Sequence, residues 1–282
     1  MFIWRLAVSM PILTLSTDIG QRDYIVGAIK GQFLHSMPTL NTVDITHYLS
    51  QTNFPLAAYT CNNAIKFYPD GTYHLILVNV FEAVNEHFLI AFYKNQYIIC
   101  PDNGLITMIA GEKPAEIVKI PVSISADLLT ITSDIAAAIF KLEEYKKLLS
   151  VGAFAAEIVE KYPLRPTAGP DWIEGQILFI DNFENVVINI TRKDFEEHGK
   201  GRKFKIMFKR DETIEKLSNN YAGVPEHEKM AWFNSAGYLE IALRNGNMAG
   251  LFGLQGYSEQ MQKSGASAGN KWFYQTIRVF FE

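Results

Sequence analysis

Asp18, in the stretch "STDIG", follows the apolar run "PILTLS" directly, at the place where a strand of an open α/β sheet would end and its chemistry would begin. A carboxylate there can accept two hydrogen bonds from a vicinal diol, or it can cap the helix that follows. Gly20 would let the backbone turn. "DITH" repeats the arrangement, with Asp44 and His47 as polar site groups or as stabilisers of a local turn. "CPDNGL" sets Asp102, Asn103 and Gly104 after another apolar run, which is good turn chemistry by itself.

The loop "VNVFEAVNEH" follows the strand-like "YHLILV" and is less ordinary. It has no glycine and carries Asn79, Glu82, Glu86 and His87. Further on, "IDNFENVVINI" spaces Asp181, Phe183 and Asn185 two residues apart. On a strand they would share a face, offering a ring for stacking, an amide for paired hydrogen bonds and an acid for an amine or hydroxyl. "FNSAGYLEIAL" adds Phe233, Asn234 and Ser235 before another strand-like run.

These groups need a frame. Up to about residue 160, strand signals alternate with amphipathic stretches of helical length, which predicts an α/β domain with a mostly parallel sheet flanked by helices. "KYPLRPTAGPDW" breaks that pattern with prolines and a glycine and reads as a linker. After it, "EGQILFID", "NVVINIT", "KFKIMF", "YLEIAL" and "TIRVFF" predict a smaller all-β domain, a barrel or sandwich. The expected boundaries are 1–161, a linker at 162–172, and 173–282. The Gly/Ser-rich segment 254–271 reads as a loop that could serve as a binding segment.

With 282 residues, 48% hydrophobic and 20% charged, the chain can bury a large core. Its formal net charge of -4 gives no general attraction to nucleic acid or to an anionic membrane, and "KGRKFK" reads as a solvated turn. Cys61 and Cys100 are far apart and match neither a disulfide framework nor a metal motif, so a reducing, cytoplasmic setting is expected and no metal site. No apolar run reaches the roughly 20 residues needed to span a bilayer. The opening segment lacks a basic start and a cleavage site, and Met10 is an alternative start.

Taken in order, "TDIGQRDYIVGAIKG", "VDITH", "YPDGTYHLILV", "PDNG", "IDNFENVVINI" and "FNSAGYLEIA" resemble the motif set of the S-adenosylmethionine hydroxide adenosyltransferases, which share a fold with the fluorinase and chlorinase. The resemblance implies an α/β domain followed by a β-barrel. It also implies a homotrimer with its sites between subunits, and an adenosyl ligand that is substrate or ligand, with no separate cofactor. Such enzymes drive water or a halide onto ribose C5' of S-adenosylmethionine and release methionine. By the same resemblance, Asp18 matches the acid that binds the ribose diol, and Asp181 the acid at the methionine end. Phe183, Asn185 and Phe233 match positions near the adenosyl group, with Ser235 close by.

The water-activating set departs from the family. Hydrolases carry "VDPGVGxxRR" where this chain has "VNVFEAVNEH", so Asn79 replaces an Asp and Glu86 an Arg. The nearest counterpart of "FHGRD" is "TITSD", with Ile131 or a neighbour at the His position. Losing these groups reduces turnover far more than binding, since general acid–base help contributes roughly 10²–10⁴-fold. Halide chemistry is disfavoured because two carboxylates in the same loop would repel an anion. The readings that follow are a hydrolase using Glu82, Glu86 or His87 in place of the usual groups, or a non-catalytic binder or sensor of S-adenosylmethionine or adenosine. A pocket turned to an unrelated ligand is the third.

Overall fold

The computed structural model describes residues 10–83, 86–123, 127–209, 212–254 and 275–282. The chain divides into two compact units, Met1–Tyr162 and Pro163–Glu282. The opening residues before Met10 and all but Leu254 of the Gly/Ser-rich segment lie outside the described residues.

The N-terminal unit is built on a seven-stranded sheet ordered β2-β1-β3-β5-β4-β6-β7. The strands are β1 (Ile12–Thr17), β2 (Asn41–Thr46), β3 (Tyr73–Leu77), β4 (His87–Tyr93), β5 (Gln96–Pro101), β6 (Glu116–Pro121) and β7 (Ala153–Phe154). Both faces of β3, "YHLIL", are buried throughout, as expected for a central strand covered by helices on either side.

Helix α1 (Ile25–Ser36) buries Val26, Ile29 and Phe33, and α4 (Leu128–Tyr145) buries Ile131, Ile135, Ile139 and Leu142, each at helical spacing. These stripes share a core with Leu13, Leu15, Tyr73, Leu75 and Leu77. On the alternate face of β1, Ser16 meets Cys61 of α2 (Phe54–Ile65), and α2 packs against the short α3 (Leu105–Ala110). Helix starts follow their side chains: Asp127 accepts the Thr130 N–H at 3.0 Å to open α4, and Asn53 accepts the Leu56 N–H at 3.1 Å to open α2.

The sheet is mixed rather than mostly parallel. β2, β1, β3 and β5 pair in parallel, while β4 runs against both β5 and β6, and β7 against β6. The cause is a tight hairpin. Lys94 and Asn95, at φ 49° and 62°, join β4 to β5 with the left-handed pair that matches the twist of antiparallel strands.

The C-terminal unit is an antiparallel sheet ordered β12-β11-β15-β9-β10-β14-β13, with β8 (Thr167–Ala168) added beside β9. Its members are β9 (Trp172–Ile180), β10 (Val186–Thr191), β11 (Phe204–Lys209), β12 (Glu212–Ile214), β13 (Lys229–Phe233), β14 (Tyr238–Leu243) and β15 (Thr276–Phe281). A bridge between Leu217 and Ala231 brings the two ends together, so the sheet is a nearly closed barrel. Ile173, Val186, Ile188, Ile206, Ile241 and Val279 fill it. Short helices α5 (Arg192–Gly199) and α6 (Met248–Leu251) follow β10 and β14. Gly175 of β9 admits no side chain, because a Cβ there would come within 2.6 Å of Asn189 Oδ1.

Candidate functional site

In the N-terminal unit, Asp18 does not cap the next helix. Helix α1 starts after Tyr24, without a side-chain cap. Instead Asp18 sits where β1 and β3 end side by side: its N–H donates to Leu77 O at 3.2 Å, and its Oδ2 accepts the Asn79 N–H at 2.8 Å. Burial raises the Asp18 pKa, against the pull of hydrogen bonds from the Asn79 and Asp18 backbone. The result is a largely buried carboxyl group anchored by main-chain N–H groups.

Asn79 adopts φ 51°, the left-handed conformation that Asn tolerates better than most residues. Its Nδ2 donates to Glu82 Oε2 at 2.8 Å, and its carbonyl accepts the Glu82 N–H at 3.3 Å. The loop therefore closes on itself as a turn. Glu82 and Glu86 are exposed, and Glu86 contributes its carbonyl to the Val122 N–H at 3.2 Å. Val84 and Asn85 lie outside the described residues.

His87 and Asp102 form a pair between the adjacent strands β4 and β5, with Nε2 3.0 Å from Oδ2. Asp102 Oδ1 also accepts the Val159 N–H at 2.7 Å, and Asn103 ties the same turn to Val78 O at 3.0 Å. Ile131 is buried in the α4 core stripe, so that position supplies no polar group. Asp44 and His47 belong to a connected set under the Asp18 turn, with His47 Nδ1 3.0 Å from Thr17 Oγ1.

In the C-terminal unit the expectation of one strand face carrying Asp181, Phe183 and Asn185 fails. β9 ends at Ile180 and β10 begins at Val186, so the intervening residues make a turn. Asp181 organises it: Oδ1 accepts the N–H groups of Phe183 and Asn185 at 2.9 and 2.8 Å, and Oδ2 accepts Asn185 Nδ2 at 3.0 Å. A carboxylate satisfying its neighbours' amides is a stronger local force than strand alternation when the next strand has not begun. The turn leaves Phe183 75% exposed and Asn185 only 2% exposed. Phe233 is half-buried, with the Arg192 guanidinium 4.6 Å and the Phe195 ring 5.5 Å from its ring centre. Ser235 is exposed in the turn closed by the Gly237 N–H on Asn234 O at 2.9 Å.

Sequence reasoning missed Glu240. It lies buried on β14, accepts the Trp232 indole N–H at 2.9 Å, and faces Asn234 and Asn185. Burial raises its pKa, and these donors oppose the rise. An acid inside the apolar run "YLEIAL" was the available signal. Among the described residues no group of His, Cys, Asp and Glu could hold a metal ion. Nor is any described helix long and apolar enough to cross a membrane.

A parallel-to-mixed α/β unit with an acid anchored at its central strand ends, followed by an antiparallel barrel, defines the class. The chain belongs to the S-adenosylmethionine hydroxide adenosyltransferase family, whose N-terminal domain matches residues 13–146 and whose C-terminal domain matches residues 175–259. Among its relatives is an (R)-S-adenosyl-L-methionine hydrolase of Thermus thermophilus, 26% identical over 263 residues, covering 87% of this chain and 96% of the relative. A fluorinase of Actinopolyspora mzabensis is 24% identical over 298 residues, covering 91% and 98% of the two chains. A crystal structure of a conserved protein from Thermotoga maritima superposes with a TM-score of 0.76 at 21% identity, over 95% of this chain and 99% of that one, which establishes the shared fold.

Proposed function

We propose that this protein binds S-adenosylmethionine or adenosine, with the ribose diol on Asp18 of one subunit and the far end of the ligand at the Asp181–Asn185 turn of a neighbouring subunit. The single observation behind this reading is the main-chain anchoring of Asp18: one oxygen is held by the Asn79 N–H, leaving the carboxyl group oriented to accept from a diol. In the relatives that are hydrolases, turnover requires more than binding. Here Asn79 spends its amide on Glu82, Glu86 is exposed and Ile131 is buried. The binding groups therefore outlast the water-activating ones, and turnover is expected to be low or nil. Sites shared between subunits of a homotrimer belong to the same proposal, and sedimentation analysis tests that part.

A second reading keeps hydrolysis at C5', giving adenosine and methionine. The His87–Asp102 pair favours it, since a carboxylate on Nε2 leaves Nδ1 to orient water. Calorimetry with S-adenosylmethionine and with adenosine tests binding directly. Asp18→Asn should weaken it at least about tenfold, as expected for a lost charge-assisted pair. No heat with either ligand overturns the proposal. Release of adenosine and methionine over hours, abolished by His87→Ala, would establish the second reading.

A further inference from the structure

Under the Asp18 turn runs a chain of polar contacts that neither the diol nor the reaction requires. The His47 ring is 1% exposed. Its Nδ1 is 3.0 Å from Thr17 Oγ1 and its Nε2 3.1 Å from Asp44 Oδ1. Asp44 Oδ2 in turn accepts Lys30 Nζ at 2.6 Å. The same His47 uses its carbonyl to accept the Gly20 N–H at 2.7 Å. Thr17 completes the loop, since its Oγ1 accepts the Ile19 N–H at 3.3 Å and its carbonyl the Leu49 N–H at 3.0 Å. Asp18 is thus flanked on both sides, at Thr17 and at Ile19–Gly20, by groups that His47 holds directly or through one hydroxyl.

We infer that His47 is a positioning residue for Asp18, acting through the Thr17 hydroxyl and the Gly20 amide. The partners fix the ring's tautomer. The Asp44 carboxylate, paired with Lys30, lies 3.1 Å from Nε2 and electrostatically favours the proton on that nitrogen, which leaves Nδ1 as an acceptor for the Thr17 O–H. Pointing that proton at His47 turns the remaining Thr17 lone pairs toward Ile19 N–H. The ring's direction, set by β2 and α1, is converted into the direction of the turn that carries the acid. Burial lowers the His47 pKa, with Asp44 opposing and Lys30 assisting, in keeping with a neutral ring. The Thr17 hydroxyl and the Ile19 and Gly20 amides are each held by protein groups, while Nε2 lies beside Asp44 without a well-aligned hydrogen bond, so the turn is tied down chiefly through the Nδ1 side of the ring.

The ligand-affinity part of this inference rests on the proposed binding role of Asp18; the geometry of the turn does not. The test uses His47→Asn and His47→Gln in the full chain. An Asn amide oxygen occupies the place of Nδ1 and can still accept from Thr17, whereas a Gln amide reaches the place of Nε2 and keeps only Asp44. His47→Asn should retain adenosine affinity within about threefold, while His47→Gln and Thr17→Val should each lose about tenfold, at similar melting temperatures. Amide hydrogen exchange at Ile19 and Gly20 should accelerate about tenfold in His47→Gln and little in His47→Asn. Ring ¹⁵N shifts of the unsubstituted protein should show Nδ1 unprotonated near neutral pH. Equal effects of the Asn and Gln substitutions, unchanged exchange in both, or a protonated Nδ1 would overturn the inference. If the protein binds neither adenosine nor S-adenosylmethionine, the binding proposal falls, and the exchange rates and ring shifts still decide the role of His47.

Discussion

Acid should loosen the strands that carry Asp18 and Asn79, and His74 is the reason. It lies fully buried in the middle of β3, opposite Thr14 of β1, with Nδ1 2.7 Å from Thr14 Oγ1 and Tyr68 edge-on at 5.6 Å. Burial lowers its pKa from 6.5 to about 4, with Gln96 opposing slightly. The folded state therefore binds this proton more weakly than the unfolded state. Its stability is fully present above the unfolded value of 6.5 and is lost as pH falls toward about 4. At about 1.4 kcal/mol per tenfold difference in proton affinity, that interval corresponds to about 3 kcal/mol. This is a large share of the roughly 5–15 kcal/mol typical of a domain. Denaturant unfolding of the protein and of His74→Gln, followed by circular dichroism between about pH 7.5 and pH 4.5, isolates the effect, because other titrating groups are common to both. The unsubstituted protein should lose about 2–3 kcal/mol relative to the variant across that range. A difference that stays constant with pH would refute the assignment of a buried, neutral His74.

Four further substitutions have stated outcomes. His87→Ala removes the pair with Asp102 and should cost about 0.5–1 kcal/mol of stability by denaturant titration, with adenosine affinity unchanged if its role is to join β4 and β5. Phe183→Ala should leave stability within about 0.5 kcal/mol because the ring is exposed, yet weaken adenosine binding about fivefold; Phe195→Ala, in contact with several rings, should cost about 3 kcal/mol or more. Gly104→Ala, at φ 95° and against the Lys161 side chain, should destabilise the protein by about 1–2 kcal/mol as read from its melting transition.

The alternation of strands and helices made the N-terminal architecture legible, and regular short strands did the same for the barrel. The direction of β4 was readable too, had two apolar runs separated by only "KN" been taken as a hairpin rather than as separate parallel strands. At the site, Asp18 was visible because a strand end with a lone acid is a local pattern. Its anchor was not, because the Asn79 N–H comes from a main-chain atom far along the chain. Asp181 was visible as a residue but not as the organiser of a turn, since alternation says nothing about a carboxylate that captures its neighbours' amides. Glu240 went unseen because a strand in a barrel reads as apolar even where one inward position is an acid.

The backbone of Asn79 has a consequence for how such a site can change. Its left-handed φ favours glycine and short polar residues such as Asn and Asp, and its N–H holds Asp18 whichever of these is present. Exchanging acid for amide there removes a charge while preserving the fold of the turn and the grip on the Asp18 carboxyl. A single functional group can thus be switched at Asn79 while the Asp18 carboxyl beside it stays held.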